Sequence, residues 1–97
     1  MTKKLNVEDR SSAIAKLKMW QDDEEKNAIS KSFKFKDFNE AFAFMTRIAM
    51  ESEKTNHHPE WSNIYNTVDI TLTSHDVGGV SERDLAMARY IDSLTQN

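Results

Sequence analysis

Hydrophobic positions along this chain change period several times, and each change marks an element. Ala13, Ile14 and Leu17, with Trp20 beyond them, recur at helical spacing and predict a first helix facing the core. Asn6 can cap that helix, and Asp9 at its third position sits favourably against the helix dipole. The run Q-D-D-E-E-K-N from Gln21 reads as an exposed, solvated turn beside a short edge strand. From Ala28 to Phe35 the period falls to two. Ile29, Phe33 and Phe35 lie on one side, with Ser30, Ser32 and Lys34 on the other, the pattern of a half-buried strand. Lys31 interrupts the apolar side; it either snorkels from an edge or reaches a neighbouring subunit.

Asp37 opens a second helix, with Glu40 three residues on in a capping-box pattern. Phe38, Ala41, Phe42, Met45, Ile48, Ala49 and Ser52 then form one stripe, ending near Glu53 or Lys54. Phe44 and Met50 fall off that stripe, on faces that a monomer leaves wet. From Trp61 to Ser74 the chain turns β-rich, with Val68, Ile70 and Leu72 alternating against Asp69, Thr71 and Thr73. A hairpin turning at Asn66-Thr67 is preferred to one long strand, because Asn tolerates positive φ. His75 ends that strand, and H-D-V-G-G-V makes a flexible loop. Ser81 caps a last helix, with Leu85, Ala88, Ile91 and Leu94 facing the core and Met87 alongside. The order helix, strand, strand, helix, strand, strand, helix predicts an α+β fold: a four-stranded antiparallel sheet with its helices on one face.

Composition narrows the functions open to such a fold. At 97 residues the chain predicts one domain, residues 1–97, with a modest core. A net charge of −3 argues against a nucleic-acid surface, which normally carries a basic excess. There is no cysteine, hence no disulfide or thiolate site, and that is compatible with a cytoplasmic location. No apolar run approaches the roughly 20 residues of a membrane span, and the N-terminus lacks the apolar region of a signal peptide. Only two glycines and one proline are available for sharp turns, so the elements should be long.

Candidate chemistry concentrates in Glu53 to Trp61, E-K-T-N-H-H-P-E-W. Two of the three histidines, His57 and His58, stand here, and His75 follows one hairpin later. Imidazole is the side chain that most readily gains or loses a proton near neutral pH, so this clustering points to acid–base chemistry or a metal site. Pro59 pushes His58 into an extended conformation, sending His57 and His58 to roughly opposite sides of the backbone. Trp61 offers a flat apolar wall for a planar ligand. Two carboxylates, Glu53 and Asp84, lie within reach in sequence or fold. Asp84 has a purely structural reading too, since an acid three residues after Ser81 closes a capping box.

The stretch from Glu53 to Leu85 resembles the pterin-4a-carbinolamine dehydratase family. The resemblance rests on an acid, three residues, His-His-Pro-x-Trp, then S-N-I-Y-N-T-V, a later His and an Asp in the last helix. It continues more weakly upstream through F-K-F-K-D-F-N-E-A-F-A-F-M. It implies dehydration of 4a-hydroxytetrahydropterin to quinonoid dihydropterin, recycling the pterin of aromatic amino acid hydroxylases. It places the site on Glu53, His57, His58, Pro59, Trp61, His75 and Asp84. It implies a pterin substrate, no cofactor and no metal, and a homotetramer paired through sheet edges and second helices, in which Phe44 and Met50 find cover. Neither direct nucleic-acid contact nor a membrane is implied.

The residues fit that chemistry. Two imidazoles on different sides of a flat heterocycle can assist departure of the 4a-hydroxyl and remove the N5 proton, each step contributing roughly 10²–10⁴-fold. His57 and His75 are read as the acid–base pair, and His58 as the residue that orients the hydroxyl or the ring. Glu53 and Asp84 either hold imidazole tautomers or meet the amide-like edge of the pterin. Two readings from other classes stand beside it: a zinc site built from three His and a carboxylate, and an interaction module that binds pterin or protein without turnover.

Overall fold

The computed structural model describes residues 2–95. Helix α1 (Val7–Ala15) leads into strands β1 (Gln21–Asp23) and β2 (Ala28–Lys34), followed by helix α2 (Phe38–Thr55). Strands β3 (Glu60–Ile64) and β4 (Thr67–Leu72) come next, then a 3₁₀ turn (His75–Val77) and helix α3 (Glu82–Ser93). The strands form one antiparallel sheet in the order β1-β2-β4-β3. This is the α+β architecture and element order that the hydrophobic periods predict.

Register explains why the sheet has one wet face. Ile29 pairs with Leu72, Lys31 with Ile70 and Phe33 with Val68, and directly paired residues point the same way. That face is buried under the helices. The alternate pairs Ser30–Thr71, Ser32–Asp69 and Lys34–Thr67 make the opposite face polar. The core joins Ile29, Val68, Ile70 and Leu72 to Ile48 of α2 and to Leu85, Ala88 and Ile91 of α3.

Lys31 sits on the buried face of an interior strand, so it neither snorkels from an edge nor reaches another subunit. Its ammonium lies 2.9 Å from Asp92 Oδ1, and the Trp20 indole N–H donates to both Asp92 oxygens at 3.1 and 3.0 Å. A charge at this depth needs such partners. The acidic run is not wholly solvated either, because Asp22 accepts from the buried Arg10 of α1 at 2.5 Å.

Helix α2 is rotated from the expected stripe. Its buried positions are Ala41, Phe44, Ile48 and Ser52, whereas Phe38, Phe42 and Ala49 are exposed. The sequence carries two apolar stripes, 38/42/45/49 and 41/44/48/52, whose centres lie about a quarter-turn apart at 3.6 residues per turn. Periodicity alone merges them. The aromatic partners across the core choose between them: Phe44 packs at 5.0 Å from the Phe33 ring and 4.7 Å from the Phe35 ring. Phe44 is therefore a core residue, not a free apolar surface, while Met50 is exposed as expected.

Two local expectations shift as well. The β3–β4 hairpin turns at Tyr65-Asn66, with Ile64 opposite Thr67, and it is Tyr65 that takes positive φ (52°). Asn66 instead accepts no strain and donates its side-chain amide to the Phe35 carbonyl at 2.9 Å. The His75 segment is not an open loop. Strand β4 ends at Leu72, His75 opens the 3₁₀ turn, and a Ser74–Gly79 bridge closes it. Outside it runs the N-terminal segment, where Lys4 bridges Ser81 and the Leu5 N–H donates to the Val80 carbonyl at 2.8 Å. A Cβ on Gly79 would stand 2.8 Å from Lys4 Cδ, so a larger residue there would have to push the Lys4 side chain aside.

The burial of Phe44 has a measurable consequence. Phe44→Ala should cost roughly 3–5 kcal/mol, the usual range for deleting a buried phenyl ring. Equilibrium urea unfolding checks this, and a loss below about 1 kcal/mol would put Phe44 outside the core.

Candidate active site

The site begins where α2 stops. Asn56 adopts the left-handed conformation (φ 53°), and the N–H groups of Asn56 and His57 both return to the Ser52 carbonyl. Asn is among the residues that accept this geometry at a helix end, and the reversal turns His57 inward. His57 is 8 % exposed, and its Nε2 lies 2.6 Å from Asp84 Oδ1.

Asp84 has no exposed surface. Its second oxygen, Oδ2, accepts from the Ser74 hydroxyl at 2.8 Å and from the Ser81 N–H at 2.9 Å. Ser74 and Ser81 meet at 2.7 Å between their hydroxyl oxygens. The capping box at the start of α3 is thus real, with Ser81 and Asp84 as its two members. The same carboxylate that closes it also reaches His57, so capping and contact with this imidazole do not exclude each other.

Extended backbone at His58, enforced by Pro59, sends the next imidazole the other way. His58 is exposed, and its Nε2 lies 2.5 Å from Glu53 Oε2 in the last turns of α2. His75, at the start of the 3₁₀ turn, pairs through Nε2 with Glu60 Oε2 at 2.7 Å. Each histidine is therefore held by a different carboxylate. One member of each pair (His57, His58 and Glu60) comes from the same short segment.

Trp61 is placed differently. The pleat of β3 turns it to the helix side, away from Glu60, where it is half-buried against the core. There it lines an open groove of about 540 Å³ with Phe42, Met45, Ala49, Met50 and Glu53. The structure thus groups Trp61 with Glu53, and groups His75 with Glu60. Among the described residues no three His, Cys, Asp or Glu side chains converge closely enough to hold a metal ion.

Three residues at the rim escaped the sequence reading. Glu60 occupies the variable position of His-His-Pro-x-Trp, and only its nearness to His58 in sequence could have drawn notice. Asp76 and Arg83 flank His75 and Asp84, and the Arg83 guanidinium donates to Asp76 Oδ1 at 2.6 Å. The Arg83 Nε is buried without a hydrogen-bond partner among the described residues. That guanidinium holds the Asp76 carboxyl below its ordinary value of 3.8, against a smaller opposing desolvation, and the nearby His57 ring adds a lesser pull the same way.

Residues 3–94 match the model of a protein family described as pterin 4 alpha carbinolamine dehydratase. The chain belongs to that family, which is one of hydro-lyases. Relatives carrying the family's name include a protein of Rhizorhabdus wittichii, 54 % identical over 92 residues, with 95 % of each chain covered. Another, from Paraburkholderia xenovorans, is 50 % identical over 95 residues, covering 98 % of this chain and 99 % of its own. Among solved structures, a transcriptional coactivator/pterin dehydratase from Brucella melitensis superposes with a TM-score of 0.93 at 44 % identity, covering 96 % of this chain and 99 % of that one. A pterin dehydratase-like RuBisCO assembly factor of the alpha-carboxysome superposes with a TM-score of 0.69 at 28 % identity, covering 80 % and 90 % respectively.

The Asp76–Arg83 pair gives a pH dependence with a definite sign. A carboxyl whose folded pKa lies below its unfolded one stabilises the fold above the unfolded value, and loses that contribution as pH falls through the folded value. Arg83→Gln should therefore narrow its stability gap from the parent as pH drops below 3.8. Urea midpoints at neutral and acid pH compare the two, and a gap that does not narrow would assign the effect of Arg83 to packing.

Proposed function

We propose that residues 1–97 act as one pterin-4a-carbinolamine dehydratase domain, taking 4a-hydroxytetrahydropterin to quinonoid dihydropterin and water. The reading is supported above all by three imidazoles each held through Nε2 by its own carboxylate, with His57, His58 and Glu60 on one short segment. In the reaction the C4a–O bond breaks and the hydroxyl leaves as water after receiving a proton. N5 gives up its proton, and its electron pair forms the C4a=N5 bond. One proton is donated and one accepted, so no cofactor is needed and the histidines end in their starting states once the two protons re-equilibrate. His57 and His75 are the acid–base pair. His58 orients the hydroxyl or the ring, and Pro59 keeps it extended.

Burial decides how the carboxylates serve. Asp84 has no exposed atom with which to meet a ligand, so it acts through His57, fixing the ring. Glu53 is exposed beside the Trp61 groove, where it can hold His58 and also meet the amide-like edge of a pterin. The proposed setting is the cytoplasm, where the product would return to aromatic amino acid hydroxylases; no helix among the described residues is long and apolar enough to cross a membrane.

A homotetramer built as a dimer of dimers goes with this reading. The surface it would hide is the outer stripe of α2, where Phe38, Phe42 and Met50 are all exposed, together with the free edge of β3. Phe42 takes the place in this argument that Phe44, buried in the core, cannot. Light scattering should give tetramers for the parent and dimers for Phe42→Lys; a parent that is monomeric at micromolar concentration would end the proposal.

The second reading is an interaction module with a regulatory role. It is favoured by the structural likenesses to a transcriptional coactivator/pterin dehydratase and to a RuBisCO assembly factor. Pterin binding alone does not separate the two readings, whereas turnover does. In a stopped-flow assay on chemically generated 4a-hydroxytetrahydropterin, the chain should accelerate dehydration. His57→Ala and His75→Ala should each lower kcat by roughly 10²-fold or more, His75→Ala with stability unchanged and His57→Ala folded but less stable, since it strands the buried Asp84 Oδ1. His58→Ala should chiefly raise KM. Parent-like rates in both of the first two variants would refute the acid–base assignment. Activity should also survive exhaustive chelation; its loss with EDTA and return with zinc would revive the metal reading.

A further inference from the structure

We propose that Glu60 is the positioning residue of His75, holding its Nε2 and leaving Nδ1 as the nitrogen that faces the reacting pterin. This rests on the dehydratase reading for its catalytic meaning, while the contact itself is a separate matter of structure. Both partners are fixed by backbone. Glu60 is the first residue of β3, paired with Thr71 of β4, directly after the rigid Pro59. His75 is fixed by its own 3₁₀ turn, where the Gly78 N–H donates to the His75 carbonyl at 3.1 Å. From these two anchors the side chains meet at 2.7 Å between Glu60 Oε2 and His75 Nε2.

The other two histidines support the assignment by repetition. His57 gives Nε2 to Asp84 and His58 gives Nε2 to Glu53. At all three rings, among the described residues, Nδ1 is the nitrogen without a protein hydrogen bond. Glu60 completes a set in which each ring is oriented from the same side. Without it His75, with 82 % of its side chain exposed, would turn freely between rotamers.

Exposure also separates this role from a structural one. An ion pair standing in water contributes little to stability. Once a pterin covers it, the dielectric falls and the same pair becomes a strong orienting contact. Loss of Glu60 should therefore be felt in turnover and not in folding.

The test compares Glu60→Ala and Glu60→Gln with the parent, alone and in a His75→Ala background. Glu60→Ala should leave the urea midpoint unchanged, lower kcat roughly 10-fold and change KM less than about 2-fold, the scale on which residues orienting a working imidazole act. Glu60→Gln, whose amide oxygen can still accept from Nε2–H, should recover most of that loss. In the His75→Ala background Glu60→Ala should have no further effect, because the two residues act as a unit. Independently of activity, the ring ¹⁵N resonances of His75 should move in Glu60→Ala and return in Glu60→Gln, with those of His57 and His58 unmoved. Unchanged His75 resonances in Glu60→Ala would overturn the proposal, as would an equal loss of kcat in both backgrounds. If the parent shows no turnover at all, the dehydratase reading falls and the resonances alone decide the contact.

Discussion

Everything at the rim of this sheet depends on one buried carboxylate. Asp84 stands with no exposed surface and answers the burial cost of a polar group by engaging three donors or ring atoms at once: His57, Ser74 and the Ser81 N–H. Those partners come from the end of α2, the segment after β4 and the cap of α3. The interaction therefore ties together the three pieces of chain that carry His57, His75 and Arg83. Removing it would leave a buried imidazole without its partner and a helix without its cap, so folding and chemistry share a single point of failure here.

Around that point the carboxylates form a gradient of burial. Asp84 is inside, while Glu53 and Glu60 are exposed. The inner pair is rigid before any ligand arrives, whereas the outer two gain strength only when a ligand displaces water from them. The arrangement holds one imidazole fixed and leaves the other two freer to move. That division follows from backbone geometry: the left-handed Asn56 turns His57 inward, and Pro59 sends His58 outward.

Much of this was legible in the sequence because its signals are local. Period-two runs placed the strands, Asn6, Asp37 and Ser81 placed the helix starts, and H-H-P with the later His75 marked a candidate site. What escaped depends on contacts between distant segments. Two apolar stripes share α2, and only Phe33 and Phe35 across the core reveal that Phe44 faces inward. Lys31 looked like an edge residue because its partner Asp92 lies 61 positions away. Glu60 was passed over because a lone glutamate at the head of a strand is unremarkable until a 3₁₀ turn brings His75 to it. The roles of Asp84 could not be separated by spacing alone, since one carboxylate with two oxygens serves both.

The segment around Lys4 and Leu5 carries a further consequence. It lies across Val80 and Ser81 like a strap, with the Lys4 stem passing close over Gly79. Ser81 is in turn bonded to Asp84, and Asp84 to His57. Three short links thus lead from the backbone at Lys4 to the most deeply held imidazole. A change at Lys4, on the surface, would therefore reach the buried His57 through Ser81 and Asp84.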